Sequence, residues 1–271
     1  MDEHAAFGRL VDALRPWLDQ VVIVGGWAHR LHRHTQLAVA PAYEPVQTLD
    51  ADVAFSLDTR LAGNIGNALA AADFQEHLTG EHRPPVSHYT LGTEDTGFYA
   101  EFLAPLRGSG VKRTGEPDAT VLKAGITAQK LRHLELLLLA PVAVRIGADE
   151  GIPMARPAEV RIPNPTAFIA QKLLIQGKRL PEKRPQDVLY IHDTLELFQH
   201  QLPALRAMWT EQLRPRLSAP TARRVERQAA EQFRRVNDDI QRAVRIPSDR
   251  MLRPERVQWA CAYGMEAIFG N

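Results

Sequence analysis

The sequence predicts an α+β chain in which a small mixed sheet is followed by a mostly helical half. Three observations predict it. Short strand-type apolar segments cluster before residue 110. Helical spacing takes over from about residue 126, and after residue 160 prolines punctuate an almost wholly helical pattern. The charge divides in the same sense: residues 1–160 carry 14 basic and 20 acidic side chains (net −6), residues 161–271 carry 19 and 12 (net +7). The length of 271 residues allows one large domain or two small ones. The hydrophobic fraction of 45% and charged fraction of 24% exclude a disordered, collagen-like or coiled-coil chain.

Taken in order, residues 5–19 place Phe7, Leu10, Val11, Leu14 and Leu18 at helical spacing. Residues 21–24 form a short buried-type strand ending in Gly25-Gly26, and 27–31 open a helix directly from that turn. Residues 48–57 read as a second strand and 61–78 as an Ala-rich helix. Two further strands are expected over 86–91 and 97–106, split by a polar turn at Thr93-Glu94-Asp95. A Gly-rich basic loop follows from Gly108 to Gly115. Residues 126–139 read as a helix, with 142–146 a candidate returning strand. Asn164 as cap and Pro165 as first residue start a helix, and Pro185 opens the next, with Asp187 in its first turn. The change from strands to helices is expected between residues 115 and 165.

The sharpest local feature is strand, Gly-Gly, helix, then a strand bearing Asp50-Ala51-Asp52. Residues i and i+2 of a strand face the same side, so Asp50 and Asp52 present two carboxylates together. Two such charges repel unless a cation lies between them. Mg²⁺ is the natural partner, because it takes hard oxygen ligands and is commonly shared with substrate phosphates. Glu101 adds a third carboxylate inside the apolar segment FYAEFL. Gly25 and Gly26 lack a Cβ and allow a phosphate close to the backbone. Neither GxGxxG nor GxxxxGK[ST] occurs, which disfavours Rossmann and P-loop readings.

At these residues the sequence resembles the nucleotidyltransferase superfamily related to DNA polymerase β. VVIVGGWAHRL, TLDADVAF and YAEFLAPLRG are similar to its hG[GS], Dx[DE] and third-acid motifs. PNPTAFIAQKLLIQGKRLPEKRPQDVLYI resembles the helical half of prokaryotic members, the AbiEii-like toxins of type IV toxin–antitoxin systems among them. The resemblance covers roughly residues 20–200. It implies a nucleotidyltransferase core with its N-terminal helix over 1–120, and a helical domain over 121–271 that completes the nucleotide cleft. It further implies that Asp50, Asp52 and Glu101 hold Mg²⁺ (or Mn²⁺) and carry catalysis. Gly25 and Gly26 would contact the triphosphate, Lys172 would reach the phosphates, and Lys183, Arg184 and Asp187 would line the cleft. The implied reaction moves an NMP from an NTP to an acceptor hydroxyl on an RNA 3′ end (tRNA included), a protein or a small molecule. The likeness to toxins adds an antitoxin protein to the expected partners. The alternative is a catalytically silent nucleotide-binding or interaction protein of the same fold.

Other features are read more plainly. His29 and His32 have a zinc-compatible i, i+3 spacing, but with His34 they find no further ligand of matching spacing, and a solvated or phosphate-facing role is expected. Trp27 is expected to pack under the glycine turn rather than stack on a base. The loop with Gly108, Gly110, Lys112 and Arg113 is open to two readings, contact with substrate or a plain hairpin. Cys261 is the single cysteine, which excludes an internal disulfide, and its apolar setting marks it as a structural thiol. No G-x-S-x-G elbow is present. Residues 201–260 contain 13 Arg and no Lys, a charge run that without an aromatic platform is only weak support for nucleic-acid binding. The apolar run 136–144 contains Pro141 and is too short to span a bilayer. The acidic start lacks the order of a secretory signal, so no membrane association and a cytoplasmic location are expected.

Overall fold

The computed structural model describes residues 2–81, 83–92 and 97–270, so the expected turn at Thr93-Glu94-Asp95 lies outside the described residues. The chain forms two compact units: Met1–Leu31 with Gln47–Pro163, and His32–Val46 with Asn164–Asn271. Strands beyond residue 120 extend the sheet of the first unit.

The first unit opens with α1 (Glu3–Ala13), whose amide at His4 is capped by the Asp2 carboxylate at 3.0 Å. Its Phe7, Leu10 and Val11 are buried at the helical spacing read from the sequence. Strand β1 (Val21–Val24) is buried along its whole length. It turns at Gly25 into α2 (Gly25–Leu31), with β2 (Asp50–Phe55) returning antiparallel to β1. Next come α3 (Ile65–Ala71), β3 (Gln75–Thr79), β4 (Val86–Leu91), β5 (Phe98–Pro105), β6 (Thr120–Lys123) and β7 (Ile126–Leu131). The sheet order is β1-β2-β5-β4-β3, with β7 also on β5 and β6 on β7. The pairs β2–β5 and β5–β7 are parallel and the others antiparallel, so the sheet is mixed as expected. Strands β8 (Val142–Ile146) and β9 (Ala158–Ile162) make a separate antiparallel ribbon.

Two expected helices are corrected. The pattern over 61–78 yields only the short α3, after which Asp73 takes φ +64° and residues 75–79 join the sheet as its edge. The pattern over 126–139 becomes β7 and a 3-10 turn. Ala124 and Gly125 both have positive φ (+49° and +75°) and connect β6 to β7 as a two-residue hairpin turn.

One sheet face carries the main core, where Ala51, Val53, Phe55, Ala100 and Phe102 pack with Phe7 and Leu10. Trp27 belongs to it: its ring stacks on Phe7 at 3.9 Å, with the Arg30 guanidinium 4.6 Å from its centroid. The opposite face carries a smaller cluster of Val22, Val24, Ala54, Leu103, Leu134 and Leu137.

The second unit is helical: α4 (Pro165–Ile175), α5 (Arg184–Leu197), α6 (Leu202–Ala207), α7 (Ala219–Gln232), α8 (Asp238–Ala243) and α9 (Pro254–Phe269). The Asn164 side chain caps α4 by accepting from the Ala167 amide at 2.8 Å, with Pro165 in the first turn as expected. Among the described residues no helix is long and apolar enough to cross a membrane.

Candidate active site

The parity of the strands builds the site. In β2 the burial pattern leaves Asp50 and Asp52 half-buried while Ala51 and Val53 are fully buried, and in β5 Tyr99 and Glu101 alternate with buried Phe98, Ala100 and Phe102. The parallel register sets Asp50 beside Tyr99 and Asp52 beside Glu101. Asp50, Asp52, Tyr99 and Glu101 therefore share the face of the sheet turned away from the main core.

The first strand brings the glycine turn to the same place. Val24 pairs with Asp52, and Gly25 follows with φ +66°, a conformation that favours glycine. A Cβ at Gly25 would collide with Asp52 Oδ2, and one at Gly26 would meet the Thr48 side chain under 3.0 Å. The carboxylate of Asp52 thus lies directly against the turn. The Thr48 hydroxyl donates to Asp50 Oδ1.

From the other side, β4 supplies His88 opposite Glu101, with His88 Nδ1 3.2 Å from Glu101 Oε1 and its ring stacked on Tyr99 at 4.6 Å. Burial, together with the negative charges of Asp50, Glu101 and Asp52, pushes the Tyr99 phenol up to about 12. One hydroxyl thus feels all three carboxylates. Thr48, His88 and Tyr99 are additions to the residues expected from sequence. Tyr99 had a readable signal, since it stands two residues before Glu101 in the same strand. His88 and Thr48 had none, because only strand register and the loop before β2 bring them in.

Hard carboxylate oxygens with a surplus of negative charge suit Mg²⁺ or Mn²⁺. The described residues contain one group of three whose ligand atoms all lie within 4.8 Å of one another, and it is elsewhere: His192, Asp193 and Glu196 in α5. The three sheet acids do not gather that closely as a set. In the α5 group both oxygens of Asp193 already accept from Arg250 Nη2, at 2.7 and 2.6 Å, and Glu196 accepts from the Tyr43 hydroxyl. Burial and the Asp193 charge drive the Tyr43 phenol far above its ordinary value, which keeps it a donor.

The other sequence-expected residues lie in the helical unit. Lys172 Nζ donates to Asp187 Oδ1 at 2.7 Å, with both side chains buried, and Arg179 Nε lies 3.0 Å from Asp187 Oδ2. The Lys172 ammonium also lies 5.4 and 5.1 Å from the Phe168 and Tyr190 ring centroids. Lys183 is exposed at the start of α5, and Arg184 Nε donates to the Arg179 carbonyl at 3.1 Å.

His29 and His32 are buried and His34 is exposed; the His32 ring packs edge-on against Phe168 and Phe198. The loop at Gly108 and Gly110 is held by Arg132, whose guanidinium donates to the Gly108 and Ser109 carbonyls at 2.9 and 2.7 Å, while Lys112 Nζ donates to the Arg83 carbonyl at 3.4 Å and Arg113 is exposed. Cys261 is fully buried, and burial raises its thiol well above the ordinary value, as suits a structural residue.

No curated protein matches the chain. A nucleotidyltransferase family model matches residues 2–214, from the cap of α1 through the glycine turn and both acidic strands into the helices of the second unit. That match covers well over half of the sequence, and the chain belongs to this nucleotidyltransferase family.

Proposed function

We propose that the chain is a Mg²⁺- or Mn²⁺-dependent enzyme that moves an NMP from an NTP to an acceptor hydroxyl. The acceptors open to it are an RNA 3′ end, a protein side chain and a small molecule. The observation that carries the reading is the shared sheet face of Asp50, Asp52 and Glu101, with Asp52 against the Gly25 turn. An anionic triphosphate tail at that turn meets a carboxylate, so the pairing is favourable only with a cation between them.

In this reading Asp50, Asp52 and Glu101 hold the divalent ion. When bound there, the ion would neutralise phosphate charge and lower the proton affinity of the acceptor hydroxyl. The acceptor oxygen forms a bond to the α-phosphorus, the bond to the α–β bridging oxygen breaks, and pyrophosphate leaves. The hydroxyl proton passes to Glu101, with His88 holding that carboxylate in place. Gly25 and Gly26 leave room for the triphosphate. Within the helical unit, the Lys172–Asp187 pair ties α4 to the first turn of α5. Positioning and charge supply most of the acceleration in such transfers.

The experiment is incubation of the chain with each labelled NTP, Mg²⁺ and total RNA or lysate, reading label transfer and pyrophosphate release. The expected result is transfer that falls about 10²-fold or more in Asp50→Asn and Asp52→Asn. Nucleotide binding without pyrophosphate release from any NTP would instead assign the chain as a silent nucleotide-binding protein of the same fold. Growth arrest on expression, relieved by Asp50→Asn, would place the enzyme as the toxin of a toxin–antitoxin pair.

A further inference from the structure

Helix α9 buries Val257, Cys261, Met265 and Ile268 on one side. On the other it exposes two aromatic rings, Trp259 at 67% and Tyr263 at 60%. The rings lie nearly parallel, 5.8 Å apart at 11°. They line a cavity of about 620 Å³ together with Arg250, Arg253 and Arg256. The two acids of α5 at this cavity wall or just behind it are already engaged: Asp193 by Arg250 and Glu196 by Tyr43. Arg250 also lies over the Tyr43 ring, its Cζ 3.3 Å from the centroid, which fixes the segment leading into α9. Arg253 and Arg256 are exposed and make no ion pair among the described residues; Glu255, in the same turn of helix, is the exposed acid nearest in sequence.

A stacked aromatic pair flanked by unneutralised guanidinium groups has a specific chemistry. It offers π faces for stacking and cations for an anionic backbone, the combination by which unpaired nucleic acid is held without sequence preference. An acidic peptide would satisfy the arginines and leave the rings exposed. From Arg253 to Tyr263 the helix runs roughly 15 Å, at the usual rise per residue, more than a single nucleotide needs. We propose that this face of α9 binds a single-stranded nucleic acid, with a base stacked on the Trp259–Tyr263 pair and phosphates on Arg253 and Arg256. The arginine run of residues 201–260 thereby acquires the aromatic platform that the run by itself lacks. The site goes beyond the transferase reading and stands without it, because binding here calls on neither NTP nor the sheet acids.

The test uses the full chain with fluorescently labelled oligo(U) and oligo(dT), without NTP, followed by anisotropy across a salt series and by intrinsic tryptophan quenching. Both strands are expected to bind, and preference for one identifies the strand as RNA or DNA. Trp259→Ala and Tyr263→Ala should each weaken binding about tenfold, and Trp259→Phe should restore most of it. Arg253→Gln with Arg256→Gln should flatten the log–log salt slope by about 1.4, roughly 0.7 for each phosphate that no longer meets a guanidinium. The exposed positions of these side chains leave the core intact, and unchanged thermal melts check this. Asp50→Asn with Asp52→Asn should leave strand binding untouched, which separates failure of this site from failure of the transferase reading. The proposal is overturned if the ring and arginine variants bind like the parent, or if a duplex of the same sequence binds as tightly as the strand. Displacement of the strand by an equal concentration of polyglutamate would overturn it in favour of an acidic protein partner.

Discussion

Gly25 carries two constraints at once, a left-handed backbone and a carboxylate in the space where its side chain would be. Gly25→Ala must adopt φ near +66° and push Asp52 aside. The backbone strain alone costs about 1–3 kcal/mol. Chemical denaturation should show a loss of that order, and nucleotidyl transfer should fall more than stability does, because the displaced group is a proposed cation ligand. Gly26→Ala meets the Thr48 side chain instead, so its effect should pass through Asp50, which Thr48 hydrogen-bonds. At this scale much of the sheet side of the site was legible. Strand parity alone predicts that Asp50 and Asp52 point together, and the charged residue inside FYAEFL singles out Glu101. What parity cannot supply is register. The pairing of Asp52 with Glu101 and of Glu101 with His88 is decided between strands distant in sequence, and nothing local encodes it.

Elements were legible where a local signal agreed with the tertiary outcome. The Asn164-Pro165 start of α4, the buried run of β1 and the strands β4 and β5 are of that kind. The stretch over 126–139 is the opposite case. Its apolar residues fit a helical spacing, but the Ala124-Gly125 turn and the C-terminal end of β5, beyond its pairing with β4, offer strand partners on both sides. Tertiary hydrogen bonding then outweighs a weak helical preference. Between α4 and α5 the sequence shows Lys172 and Asp187 as separate functional candidates, and the fold joins them as a buried ion pair. Removing one partner of such a pair strands a buried charge and costs about 3–5 kcal/mol, whereas replacing both with apolar residues of similar size is often close to neutral. Lys172→Met and Asp187→Leu should therefore each lower stability strongly, and the double variant should recover most of it. If the pair only positions the start of α5, the double variant should retain transfer activity. A loss of activity at restored stability would give the pair a part in transfer beyond holding α5 in place. Urea midpoints and initial rates on the same four proteins decide between the two.

Across the whole molecule, three buried or half-buried phenols are expected to weaken the fold at alkaline pH. Tyr99 is held up to about 12, while Tyr89 and Tyr43 are pushed higher still, chiefly by burial and then by the carboxylates they face. Their ordinary value is 10.0. Above that pH the unfolded chain releases these protons while the folded chain keeps them, so the native state binds more protons and stability falls as pH rises. The contribution is complete below pH 10.0 and is progressively lost upward, for Tyr99 through about 12. Both compact units are affected, since Tyr89 and Tyr99 belong to the sheet-bearing unit and Tyr43 to the helical one. Thermal melts between about pH 8 and 11.5 should be flat at first and then decline from about pH 10, the point at which an unfolded phenol begins to ionise. Tyr99→Phe should make the decline shallower, with a neutral-pH melting point lowered only by the hydroxyl's own share of packing. In a difference-absorbance titration of the tyrosinate band, the same variant should lack the component that ionises near 12. A Tyr99 that titrated at its ordinary value would mean that the phenol is neither buried nor held beside Asp50, Asp52 and Glu101 as the pairing of β2 with β5 places it.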